Sequence, residues 1–150
     1  MTLPIIPAAE LRPLVDALRA VAWPLDRAGA RALAAALGWG ELAGTRDETT
    51  FLTGLDFPQP LAKIRHANAW DYVVVNVSAS SAEDAPAVDA AFEALAEAMA
   101  ALLGEADGAV DDPAERWWRL PSGGSLDLQH LESVVVLRLS SPQRAAGRDA

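Results

Sequence analysis

The chain has 150 residues, of which 51% are hydrophobic and 22% charged, and a formal net charge of -9. That length supports one domain with its own core, and the acidity argues against a binder of nucleic acid, whose affinity comes mainly from Lys and Arg neutralising phosphates. Cysteine is absent, which removes disulfides, thiolate metal sites and a Cys nucleophile together.

From Met1 to Pro13 there is no basic segment, and the apolar Leu3, Ile5 and Ile6 are interrupted by Pro4 and Pro7, so the start does not read as a signal peptide. The apolar run Ala98 to Leu103 is far too short to span a membrane. A cytoplasmic address is expected. Leu11, Leu14, Val15, Leu18 and Val21 recur at helical spacing and predict a helix over 11–21, with Pro13 expected in its first turn. A second helix opens after Asp26, a good N-cap, carries Ala30, Leu33, Ala34 and Leu37 as its stripe, and stops at Gly38.

From Thr49 the hydrophobic period changes to two. Thr49 to Thr53, Leu61 to Ala67 and Trp70 to Ser78 read as strands, separated by the breakers around Pro58 and Pro60 and by Asn68. A long helix follows from about Asp84, with Pro86 in its first turn, to Leu103, with Gly104 as cap. Arg116 to Leu120, Ser125 to Gln129 and Val134 to Ser140 are three more strands, and the polar tail after Pro142 is expected to fray.

The predicted order is ααβββαβββ: an α+β fold in which an antiparallel sheet of five or six strands packs against helices, in a single domain over 1–150 with frayed ends at about 1–8 and 143–150. Trp117 and Trp118 are adjacent on a strand, so their side chains point to opposite faces. Both faces therefore carry apolar residues. Either the two N-terminal helices cover one face and the long helix the other, or Trp70, Tyr72, Val74, Trp117, Val134 and Val136, edged by Arg119 and Arg138, form an open aromatic face suited to an interface.

Ala82 to Glu115 holds ten carboxylates and no Lys or Arg, while the rest of the chain carries 11 acids against 12 bases. The net charge is thus one acidic flank. Asp89, Glu93 and Glu97 fall on one arc of the long helix at i, i+4 and i+8, where like charges cost about 0.2 to 0.5 kcal/mol per pair. Local stability does not favour that arrangement. It is either a solvated face or a docking stripe for a basic partner, with Asp111 and Asp112 as further candidates.

His66 and His130 lack the spacing of metal ligands and read as structural or exposed. Asp107 to Asp112 lacks the alternating oxygens of a calcium loop, Ser122 to Ser125 is a hairpin turn rather than a phosphate cradle, and no Gly-x-Ser-x-Gly elbow occurs. No catalytic residue, cofactor or metal is assigned, and no membrane or nucleic-acid partner.

Gly38-Trp39-Gly40, Thr53-Gly54-Leu55, the acidic helix, Trp117-Trp118-Arg119-Leu120-Pro121 and the run Ser133 to Pro142 resemble an uncharacterised family of small actinobacterial α+β proteins over about 25–142. Such proteins are similar to immunity proteins of polymorphic toxin systems and to secretion-chaperone-like domains. The resemblance implies a non-enzymatic protein-binding module, first an immunity-type inhibitor of a basic toxin. A chaperone-like adaptor holding a client on an apolar sheet face is the alternative, and a small-molecule-binding domain or carboxylate enzyme the third; a homodimer is compatible with each. The candidate partner-binding residues are Asp89, Glu93, Glu97, Asp111, Asp112, Trp70, Tyr72, Trp117, Arg119 and Arg138.

Overall fold

The computed structural model describes residues 2–67 and 70–148. Its elements run α1 (Ala8–Arg19), α2 (Arg27–Ala36), β1 (Gly40–Gly44), β2 (Glu48–Leu52), β3 (Leu61–Arg65), β4 (Tyr72–Asn76), α3 (Ala85–Leu103), β5 (Gly108–Asp111), β6 (Ala114–Arg119), β7 (Ser125–His130), β8 (Val135–Ser140) and α4 (Pro142–Arg148). The α+β class is as expected, but the sheet has eight strands rather than five or six, and the order is ααββββαββββα.

The two extra strands, β1 and β5, are the sheet's edges in the spatial order β1-β2-β3-β4-β8-β7-β6-β5. Every residue of β1 is exposed, and β5 is exposed apart from Gly108. An edge strand that buries neither face has no alternation to betray it, and Gly, Ala and Asp are poor strand formers. Both were invisible for that reason. The sheet consists of two antiparallel meanders joined along β4 and β8, with Val73 opposite Leu139 and Val75 opposite Leu137.

Directly opposed residues of antiparallel strands share a face. The registers therefore build continuous inner rows: Phe51, Ala62, Val75, Leu137, Leu128 and Arg116 in one, and Thr49, Ile64, Val73, Leu139, Leu126 and Trp118 in the next. The apolar members of these rows join Leu11, Leu14, Val15 and Leu18 of α1, Ala30 and Ala34 of α2, and Val88, Phe92, Leu95 and Met99 of α3 in one buried cluster. The expectation that helices cover both faces is corrected: α1, α2 and α3 all lie on the inner face. The short α4 packs on the outer one.

Capping follows local chemistry. The Asp26 side chain accepts from Gly29 N at 2.7 Å and that of Asp84 from Ala87 N at 3.0 Å, and Gly38 and Gly104 end their helices at positive φ, 72° and 85°. Pro13 sits inside α1 rather than in its first turn; the buried stripe on both sides of it outweighs one missing backbone bond. The ends also differ from the expected fraying. Leu3 and Ile6 are buried, Ile6 N donates to Val77 O at 2.9 Å, and α4 buries Ala145. The Asn68 breaker, Met1, Asp149 and Ala150 lie outside the described residues.

Candidate functional site

The ten candidate residues separate into two surfaces. On the outer face the registers align Glu48, Arg65, Tyr72, Ser140, Ser125 and Arg119 in one row, and Thr50, Lys63, Val74, Arg138, Asp127 and Trp117 in the next. Tyr72, Trp117, Arg119 and Arg138 thus share a face, as their alternation predicts. Trp70 precedes β4 at φ 56° and is 52% exposed, whereas Val136 is buried. The face is more polar than the expected aromatic one. A shallow groove of about 340 Å³ lies along it, with Lys63, Tyr72, Val74, Asn76, Val136 and Arg138 among its walls.

The Tyr72 hydroxyl donates to the Glu48 carboxylate, while the guanidinium carbons of Arg144 and Arg138 lie 4.8 and 5.7 Å from the Tyr72 ring centre. Burial, followed by the Glu48 hydrogen bond, pushes the Tyr72 phenol above the ordinary tyrosine range. Burial, then the neighbouring Arg138 charge, lowers Arg144 below the ordinary arginine value.

The acidic surface is built on the opposite side of the sheet and at its edge. Asp89, Glu93 and Glu97 are exposed on α3, and Asp111 and Asp112 are exposed where β5 turns into β6. Between these elements lies a cleft of about 250 Å³ whose walls include Ala96, Ala100, Glu105, Ala109, Arg116 and Trp118. Helical rotation of 100° per residue puts Asp89 and Glu93 on the same side of α3 as Ala96 and Ala100, toward that cleft. Its floor is fixed by Trp118, 3% exposed, whose indole Nε1 donates to Gly104 O at 3.0 Å.

The carboxylates are not equivalent. Asp89 Oδ1 lies 2.7 Å from His130 Nε2, and His130 Nδ1 lies 2.7 Å from Leu131 O. Asp89 therefore ties α3 to β7. Asp111 is 3.8 Å from Arg116 with its side chain 95% exposed, a weak pairing. Among the described residues no base pairs with Glu93, Glu97 or Asp112. His66, 5% exposed, bonds the Thr49 hydroxyl at 2.9 Å and is a core histidine.

Among the described residues no group of three or more His, Asp or Glu is arranged to hold a metal ion, and no helix is long and apolar enough to cross a membrane. The model of a family of unknown function, DUF6301, matches residues 9–141. The chain belongs to DUF6301. No curated protein and no solved structure matches it. The span shared with DUF6301 includes both meanders, the acidic surface and most of the outer face, and ends just before α4.

Sequence reasoning missed Glu48, Lys63, Arg65, Asp127 and Arg144 as site residues. Arg144 was hidden in a tail read as frayed. The polar row Ser125, Asp127 and Gln129 was visible by alternation, but only the register places Asp127 opposite Arg138.

Proposed function

We propose that this protein is a non-enzymatic protein-binding module that docks a basic protein partner on the surface between α3 and β5, with an immunity-type inhibitor of a basic toxin as the role that fits best. The observation that carries the reading is the juxtaposition of unpaired carboxylates with an open sheet edge. β5 pairs with β6 alone, so its other side is an open edge for an incoming strand, although Val110 O already accepts from the Arg116 guanidinium at 3.2 Å. Glu93 and Glu97 of α3 and Asp112 beyond β5 add negative charge with which no described base pairs, while Arg116 in the cleft wall is taken up by Asp111 and by Val110 O. Val110, 43% exposed on β5, adds an apolar contact. The alanine walls of the cleft suit the aliphatic stem of a Lys or Arg whose head reaches the carboxylates.

An adaptor that holds an apolar client on the sheet face has less support, because the outer face presents Lys63, Arg65, Arg138, Glu48 and Asp127. The test uses a partner captured from the native host. Its association rate is measured against ionic strength for the wild type and for Glu93→Gln/Glu97→Gln/Asp112→Asn, which spares Asp89 and its bond to His130. The wild-type rate should fall with salt, and the variant should associate more slowly with a flatter salt dependence. Equal rates and slopes would remove the acidic surface from the interface.

A further inference from the structure

Beneath α4 the outer face sinks into a polar pocket of about 290 Å³, lined by Ser125, Asp127, Arg138, Ser140, Arg144 and Ala145. Register builds its floor: Ser125 of β7 stands opposite Ser140 of β8, and Asp127 opposite Arg138. Ser125 is 3% exposed, and its Oγ has no hydrogen-bond partner; the enclosed Arg138 Nε has none either. Leaving buried donors unsatisfied is costly. Two such donors on the floor of one pocket, beside the buried acceptor Asp127 Oδ1, point to something that completes them.

The fourth wall comes from α4. Arg144 N donates to Ser141 Oγ at 3.2 Å and its Nε to Trp70 O at 2.9 Å, which holds the guanidinium over Tyr72 beside that of Arg138. Arg65 follows in the same row, opposite Tyr72. In a chain of net charge -9, arginines gathered round one ring are a local arrangement rather than a general excess of base. The nearby acids are already used in part: Glu48 accepts from Tyr72, and Asp71 accepts from Leu25 N and Ala67 N. Arg144 is lowered first by its burial and then by the guanidinium of Arg138 held close to it. Trp70 carries Arg144's acceptor from a left-handed conformation, φ 56°, that a bulky residue adopts only under constraint.

We propose that this pocket binds a small molecule through an oxyanion group, a carboxylate or a phosphate, clamped between Arg138 and Arg144 with the Ser125 hydroxyl donating from the floor. Guanidinium forks match the planar carboxylate and the phosphate edge, and Asp127 offsets part of the cation charge when the site is empty. The volume admits a small anion or the anionic end of a larger ligand. This site lies on the opposite face from α3, so it does not depend on the docking surface.

Trp70 supplies the readout, because a Cβ on Gly147 of α4 would lie 3.4 Å from Trp70 Cζ3, so the indole borders the helix that closes the pocket. The full chain is titrated with inorganic phosphate and, separately, with succinate, at ionic strength held constant with sodium chloride, following tryptophan fluorescence and the thermal midpoint. At least one anion should bind saturably, and the arm that responds distinguishes phosphate from carboxylate. Affinity should fall at least tenfold in Arg138→Gln and in Arg144→Gln, and severalfold in Ser125→Ala, with Arg12→Gln on the surface of α1 unchanged. If Arg138→Gln fails to fold, Arg144→Gln decides alone, since that side chain extends from the short terminal helix. The proposal is overturned if neither anion gives a saturable response, or if the response survives Arg144→Gln.

Discussion

Leu95→Ala tests the packing on which both surfaces depend. Leu95 is 1% exposed and shares its arc of α3 with Val88, Phe92 and Met99, each no more than 1% exposed. The helix packs chiefly on β7, whose inward residues Leu126 and Leu128 are equally buried. Truncation removes three carbons, about 2.4 kcal/mol of transfer free energy at about 0.8 kcal/mol per buried methylene. The space left behind adds about 24 cal/mol for each Å³ that the surroundings cannot close. A sheet hydrogen-bonded on both sides of β7 closes little, so a loss of about 3 kcal/mol is expected, which corresponds to a fall of roughly 6 to 12 °C in the melting midpoint of a domain this size. Urea and thermal unfolding, followed by far-UV circular dichroism, give the two numbers, with Glu97→Gln on the exposed side as a control. A Leu95→Ala protein that unfolds within about 0.5 kcal/mol of wild type, the range of ordinary surface substitutions, would refute the helix register and with it the orientation of Glu93 toward β5.

Gly108→Ala should destabilise by about 1 to 3 kcal/mol as an overpacked contact, because its Cβ would lie 2.0 Å from Cζ2 of Trp117, the residue directly opposite on β6; an unchanged urea midpoint would show that the indole does not cover β5. The Tyr72 phenol should titrate above its ordinary value of 10.0. Since the folded state holds that proton more tightly than the unfolded one, the linked stability is fully present below about pH 10 and is lost as pH rises through the folded value. Tyr72→Phe should remove that part of the alkaline loss, and identical stability profiles between pH 8 and 11 would contradict the burial and Glu48 bond that raise it.

The elements that bury a face were readable and those that bury none were not. The stripe Leu11, Leu14, Val15 and Leu18 and the row Val73 and Val75 repeat at the periods of helix and strand because each faces a core. Glu41, Leu42 and Ala43 have no such constraint, and Asp111 reads as loop acid although it ends a strand. The same reasoning applies to the two surfaces. Asp89, Glu93 and Glu97 are local in sequence, so helical rotation alone brings them together. The outer-face site unites β2, β3, β4, β7, β8 and α4, and only long-range register sets Asp127 against Arg138 or Tyr72 against Arg65. Alternation in Trp70 to Val77 gave the correct face for Tyr72. Alternation elsewhere put Arg119 and Arg138 at the edge of that face but could not tell that Arg65 and Arg144 would join them there.

The two edges of the sheet are guarded in different ways, and the difference bears on the docking reading. An uncovered edge strand pairs with any chain that reaches it unless something blocks the approach. On β1 the block is geometric: a bulge between Glu41 and Ala43 breaks the register with β2. Its single carboxylate does not discriminate between partners. On β5 the pairing with β6 runs without a register shift, and the block is charge. Asp111 at its end and Asp112 beyond it, with the carboxylates of α3, repel a second copy of this acidic chain and admit a segment rich in Lys or Arg. A feature kept only for solubility could be spread over the surface; this one is concentrated at the one regular open edge, where the same charges that prevent self-pairing also select the sign of the partner.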